Sequence, residues 1–269
     1  MESKKKDKVI AIVLAGGIGS RMVEQLRREN GDQSDHFQKK QYMSLLGKPM
    51  LSYALDAFEQ SQVDEICLVV SAGDRDYVRR DLLDRYGYRK VTRMVEGGSE
   101  RYYSVYNGLL AIEKDLEKIP AMDREYREEY VLIHDSARAL ITPELVNRCI
   151  RQVKKDKACV MGMPSKDTIR LADQEGWSKG TPPRKGMWIV HTPQCFVFRE
   201  ILDAFRKMIE AGDQTVTDDG MVMERFGNRN VRMFEGSYEN IKITTPDDIV
   251  TGEAILRKRL CGKDGEDNN

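Results

Sequence analysis

Histidine is scarce: His36, His134 and His191 are the only three in 269 residues. A Ser/His/Asp or Cys/His catalytic set, or a histidine-rich metal centre, has little material to draw on. Cysteine is sparse and dispersed, at Cys67, Cys149, Cys159, Cys195 and Cys261, with no CxxC pair. That argues against a zinc site and leaves free core thiols as the expectation. No apolar run approaches the ~20 residues of a membrane-spanning helix. The opening MESKKKDK is basic, but no apolar signal-peptide core follows it, so a cytoplasmic protein is expected. An excess of one charge is missing as well: Lys+Arg and Asp+Glu both number 44. A general polyanion binder is usually basic, so no nucleic-acid partner and no membrane is expected. Two common phosphate motifs are also absent. No Lys-Ser or Lys-Thr follows the amino-terminal glycines, as a Walker A loop needs, and Met22 stands where a dinucleotide fingerprint has its third glycine.

What is present starts with VIAIVLAGGIGSRM, Val9 to Met22. Six consecutive apolar residues, Val9 to Leu14, read as a strand buried on both faces of a parallel sheet. Ala15, Gly16, Gly17, Gly19 and Ser20 then leave backbone N–H groups bare, able to cradle an anion, and Arg21 adds a permanent cation. Together they suggest a phosphate site; a tight strand-to-helix turn with a surface arginine is the alternative. Segment 23–39 is charged and without a clean apolar period, an exposed loop or frayed helix. Further along, helices are expected at Pro49–Gln60, Arg101–Ile112, from Pro143, at Arg199–Ala211, Asp218–Arg225 and Pro246–Arg259. Strands are expected at Glu65–Ser71, Val91–Glu96, Tyr130–His134, Ala158–Met163, Gln194–Phe198, Val231–Phe234 and Asn240–Thr244, with a charged connection at Lys114–Glu129. Alternating strands and helices imply an α/β fold on a mostly parallel sheet, in one domain over 1–269. Residues 166–192 hold two strand-like runs around a Gly/Pro-rich turn, which reads as a projecting β-arm.

Ligands of open α/β sheets bind beyond the carboxyl ends of the strands. The polar residues expected there are Gly16 to Arg21, Gly97, Gly98, Ser99, Arg101, Asp135, Ser136, Arg138, Glu239 and Lys242. Cations and carboxylates converge without a nucleophile set, the kit of phosphoryl or nucleotidyl transfer. Each residue also has a plainer reading: Asp135 as a turn cap, Lys242 as an exposed strand lysine between Ile241 and Ile243, Gly97-Gly98 as a turn, Arg184 as a solvated arm tip.

Taken together, AIVLAGGIGSRM, KKQY, EGGSERYYSV, HDSAR, TPQCF, TVTDD and NIKITTPDD occur in an order that closely resembles the 2-C-methyl-D-erythritol 4-phosphate cytidylyltransferase family, from about Val9 to Arg259. The related ribitol-5-phosphate cytidylyltransferases are similar too. The resemblance implies a GT-A-like, Rossmann-like nucleotidyltransferase with helices on both sheet faces, a homodimer formed through the β-arm, and a Mg²⁺-dependent reaction between CTP and a sugar-alcohol phosphate. It implies that Ala15, Gly16, Gly17, Gly97, Gly98, Ser99 and Ser104 surround CTP. Arg21, Lys40 and Lys242 would act at the triphosphate. Asp135, Arg138, Arg184 and Thr217 would hold the acceptor, Arg184 from the neighbouring subunit. Asp135 and Glu239 would be the metal ligands. The sequence departs from the family at Lys39 and Ala139, both prolines there, at Glu239, an aspartate there, and in a longer stretch between Arg21 and Lys40. A paralogue acting on ribitol 5-phosphate, or a nucleotide-binding protein without turnover, are the competing expectations.

Overall fold

The computed structural model describes residues 6–17, 22, 24, 39–119 and 126–264. The first apolar run lies in β1 (Lys6–Ala15), and alternation divides its side chains between two cores. Val9, Ala11, Val13 and Ala15 enter one cluster, Ile10 and Ile12 the other. A short hairpin follows, β2 (Ser44–Leu45) and β3 (Lys48–Pro49), turning through Leu46 and Gly47 at φ 49° and 78°. Paired positive φ angles suit the twist of a two-residue hairpin. Then come α1 (Met50–Glu59), β4 (Glu65–Val70), a helical turn Arg75–Tyr77 that runs into π-helical Val78–Asp84, and β5 (Val91–Glu96). Beyond them are α2 (Arg101–Glu117), β6 (Tyr126–Asp135), α3 (Pro143–Asp156) and β7 (Ala158–Pro164). Thr142 caps α3 by accepting from Leu145 N, and Pro143 fills the first turn, where its missing N–H costs nothing. The chain ends with the hairpin β8 (Leu171–Ala172) and β9 (Ser178–Gly180), then β10 (Trp188–Val197), α4 (Phe198–Ala211), α5 (Asp219–Phe226), β11 (Arg232–Glu235) and α6 (Pro246–Asp264).

Among the described residues seven strands form one sheet in the order β11-β7-β10-β6-β1-β4-β5, parallel throughout except β10, which runs against both neighbours. From β1 the chain builds outward through β4 and β5, then returns to place β6 on the other side of β1. That reversal opens a crevice at the carboxyl ends of β1 and β6, where Leu14 stands in register with Asp135.

Four expectations need correcting. The stretch Lys114–Glu129 is not all connection: Leu116 extends the buried stripe of Leu109 and Ile112, so α2 runs on to Glu117, and β6 starts at Tyr126. Asn240–Thr244 joins no ladder; it is tied by Ile243 N donating to Ala137 O. The second run of the arm stays with the main sheet, where Trp188–Val190 pair with Pro164–Gly162 of β7, so only β8–β9 stand apart. Four cysteines are buried thiols as expected, but Cys261 is exposed. No helix among the described residues is long and apolar enough to cross a membrane.

Candidate active site

Two glycine segments meet at the carboxyl ends of β1 and β5. Ala15 O accepts from the buried Gln41 Nε2 at 2.8 Å, Gly16 O from Ser71 Oγ at 3.1 Å, and Gly97 N donates to Val70 O at 2.8 Å. The second segment has no room for side chains. A Cβ on Gly98 would lie 2.3 Å from Tyr103 Cβ, and one on Gly97 2.9 Å from Ser104 Oγ. Ser104 accepts from Gly98 N at 3.0 Å and donates to Glu100 O at 3.2 Å, fixing the turn that opens α2. The result is a cleft of about 330 Å³ walled by backbone at Ala15, Gly16, Gly17, Gly98 and Ser99, with Lys40 and Lys242 among its side chains.

At its base, Asp135 closes β6 against two cations. Arg101 Nε donates to Asp135 Oδ1 at 2.9 Å and Lys242 Nζ to Oδ2 at 2.6 Å. The rest of the Arg101 guanidinium forks onto Asp219 at 2.8 and 2.9 Å. Burial alone would raise the Asp135 carboxyl, but Arg101 and Lys242 outweigh it and hold the group well below the usual carboxylate range. Burial likewise opposes the charge on Arg101, and the two carboxylates more than restore it. Asp219, nearly inaccessible, is raised by burial despite Arg101.

A second cleft, of about 230 Å³, lies beyond this wall and is lined by Arg138, His191, Thr217 and Asp218. Arg138 is buried and gives its two terminal nitrogens to backbone, Asn240 O at 2.8 Å and Val190 O at 2.9 Å, while Nε has no partner among the described residues. Burial, with Arg101 nearby, pushes it down to about 10, so it remains a cation at neutral pH. His191 is pushed down to about 4 by burial and by Arg138, and is neutral there. Arg101, Asp135 and Lys242 line both clefts. Two compartments with one charged wall can bring two anionic molecules together and neutralise the charge that builds between them.

The structure thus gathers Ala15, Gly16, Gly17, Gly98, Ser99, Ser104, Lys40, Asp135 and Lys242 at the first cleft, with Gly97 packed behind it, and Arg138 and Thr217 at the second. Three residues stand outside this grouping. Arg21 lies outside the described residues. Glu239 is held by Arg259 at 3.0 and 3.1 Å and lines neither cleft. Arg184 is exposed in the arm, donating to Lys166 O at 3.3 Å. Among the described residues no three His, Cys, Asp or Glu are placed to share a metal ion. Asp219 and Gln41 were not anticipated as site residues. The second aspartate of TVTDD and the glutamine of KKQY were the available signals.

The model of the family IspD, 2-C-methyl-D-erythritol 4-phosphate cytidylyltransferase, matches residues 9–258. The 2-C-methyl-D-erythritol 4-phosphate cytidylyltransferase of Lachnoclostridium phytofermentans is 40% identical over 252 residues, 94% of this chain and 97% of that protein. The same-named protein of Caldanaerobacter subterraneus is 38% identical over 93% and 99%. Among solved structures, the 4-diphosphocytidyl-2C-methyl-D-erythritol synthase of Anaerococcus prevotii superposes with a TM-score of 0.74 at 30% identity, over 93% of this chain and 96% of that one.

Proposed function

The chain belongs to the 2-C-methyl-D-erythritol 4-phosphate cytidylyltransferase family, and we propose that it performs that family's transfer in the paired clefts. A phosphate oxygen of 2-C-methyl-D-erythritol 4-phosphate attacks the α-phosphorus of CTP, and pyrophosphate leaves. The reading rests on one observation above all: the glycine cleft and the Arg138 cleft share the wall of Arg101, Asp135 and Lys242. CTP occupies the glycine cleft, its base against Ala15, Gly98, Ser99 and Ser104, its phosphates near Lys40 and Lys242. The acceptor occupies the second cleft, its charge met by Arg138 and its hydroxyls by Thr217. No protein nucleophile takes part. The residues position two anions in line and stabilise the charge of the transition state. Lys242 sits where that charge grows, and its bond to Asp135 keeps Nζ aimed.

Mg²⁺ fits a sparse donor set, since the ion is commonly held by one or two carboxylates plus substrate phosphate oxygens. Asp135 is the carboxylate on the shared wall and would be the protein ligand; Glu239, which lines neither cleft, does not fit that role. When bound, the ion would neutralise charge on the triphosphate. Asp135→Asn is expected to lower activity and shift its Mg²⁺ dependence upward by roughly 10- to 100-fold, the range for altered metal-site partners. An unchanged Mg²⁺ titration would leave Asp135 solely as the partner of Arg101 and Lys242.

Gly98→Ala is expected to raise the KM for CTP at least several-fold, because the added Cβ would collide with Tyr103 and must displace the turn. Steady-state kinetics at fixed acceptor checks it, and an unchanged KM removes Gly98 from the nucleotide site. Function itself is tested by pyrophosphate release with CTP and either 2-C-methyl-D-erythritol 4-phosphate or ribitol 5-phosphate. Release with the former is the expected result. Preference for ribitol 5-phosphate would reassign the acceptor, and no release with either would leave a nucleotide-binding protein.

A further inference from the structure

Lys40 rides on a single 3₁₀ turn, Lys40–Tyr42, whose other side chains are each tied to a strand end. Gln41, almost fully buried, holds Ala15 O at the end of β1. On the other side stands Asp74, in the turn that leaves β4, its N–H donating to Ser71 O at 3.1 Å. Lys39 Nζ grips both Asp74 oxygens, at 2.7 and 2.8 Å, and Tyr42 donates its hydroxyl to Oδ2 at 2.8 Å. The Tyr42 ring packs edge-on against Tyr77 at 5.0 Å, and Tyr42 N closes the turn onto Lys39 O at 2.9 Å.

Two adjacent lysines therefore part company. Lys39 is drawn away to Asp74, and Lys40 is left facing the glycine cleft. A half-exposed ion pair such as Lys39–Asp74 adds little to global stability. Its consequence is local, because it decides which of two neighbouring cations turns toward the cleft and pins the backbone between them. A misplacement of about 1 Å in a charge-stabilising group can cost on the order of 10²-fold in rate.

We propose that Asp74, through Lys39 and Tyr42, is a positioning residue for Lys40: it fixes the turn that delivers Lys40 to the nucleotide phosphates, without itself touching substrate. This rests on the cytidylyl-transfer reading above. Asp74→Ala and Lys39→Ala are measured by pyrophosphate release, each in the wild-type and in a Lys40→Ala background, with full-length enzyme and with melting temperatures recorded. Asp74→Ala is expected to lower kcat/KM for CTP about tenfold or more, and Lys39→Ala several-fold, with Lys39→Arg recovering most of the loss. In the Lys40→Ala background both losses should shrink to within about twofold, since residues that act as one unit are not additive.

Equal losses in the two backgrounds, or no loss in an active enzyme, would overturn the positioning role. If Asp74→Ala fails to fold, the substitutions at half-buried Lys39 decide the matter by the same comparison. A wild-type chain that releases no pyrophosphate from CTP would overturn the transfer reading and this role with it. An active wild-type enzyme indifferent to Asp74 and Lys39 would overturn this role alone.

Discussion

Lys242→Ala is expected to cut turnover by about 10²- to 10³-fold while leaving the fold intact, the usual cost of removing one preorganised donor to transition-state charge. Lys242 projects into the wall shared by the two clefts, its Nζ 2.6 Å from Asp135. Its neighbours secure the backbone without it. Ile243 is fully buried, Ile241 packs against the same cluster of Met22, Leu45, Met50 and Leu140, and Ile243 N is bonded to Ala137 O. Truncation removes a cation from the cleft and nothing from that core. Asp135 keeps Arg101 as a partner and is not stranded. The loss should fall mainly on kcat, because the charge that Lys242 meets is largest in the transition state. Pyrophosphate-release kinetics with a melting curve check both halves of the expectation. Near-normal turnover in a folded variant would remove Lys242 from the chemistry.

The lysine also shows how far the sequence could be read. Its alternation with Ile241 and Ile243 correctly turned it away from the core, although the segment joins no sheet. Alternation reports facing, and facing survives where a single hydrogen bond replaces a ladder. The parallel sheet was legible because β1, β4, β6 and β7 each carry an unbroken apolar run (Val9–Ala15, Ile66–Val70, Tyr130–Ile133 and Ala158–Met163), the pattern that burial on both faces demands. The glycine cleft was legible for a related reason: small residues after such a strand leave backbone as the only wall. The extension of α2 to Glu117 was hidden by its charges, since only Leu116 carries the apolar stripe past Ile112.

Long-range polar pairs were the least legible part. Nothing local in the sequence joins Arg101 to Asp219, 118 positions away, or Lys39 to Asp74, 35 positions away. Glu239 illustrates the converse. A carboxylate beside Asn240 and Lys242 resembles a site residue until the fold brings Arg259 of α6 against it.

Mixing two inactive variants, Arg184→Ala and Lys242→Ala, is expected to restore up to about a quarter of wild-type activity once subunits exchange. The motive lies in the arm. Among the described residues the β8–β9 hairpin pairs only with itself, and an isolated hairpin is marginal in water. Leu171 and Trp177 are 56% and 71% exposed on it, and Ile189 at the arm's base is 45% exposed. A second copy related by a twofold axis would offer the same apolar surface in return, which is how an isologous interface covers itself. We propose such a homodimer, with Arg184 reaching the partner's second cleft and forking onto the acceptor phosphate. Arg184 lines neither cleft of its own chain, and a guanidinium suits a dianion better than a lone ammonium does. In a mixed dimer one site then carries both substitutions and the other carries neither. Random exchange of equal amounts makes about half the dimers mixed, each with one intact site of two, hence about a quarter of full activity. Intact-mass measurement confirms the exchange, and pyrophosphate release reads the recovery. Confirmed mixed dimers without activity would show that Arg184 does not act across the interface, and a chain that stays monomeric at assay concentration would remove the shared site altogether.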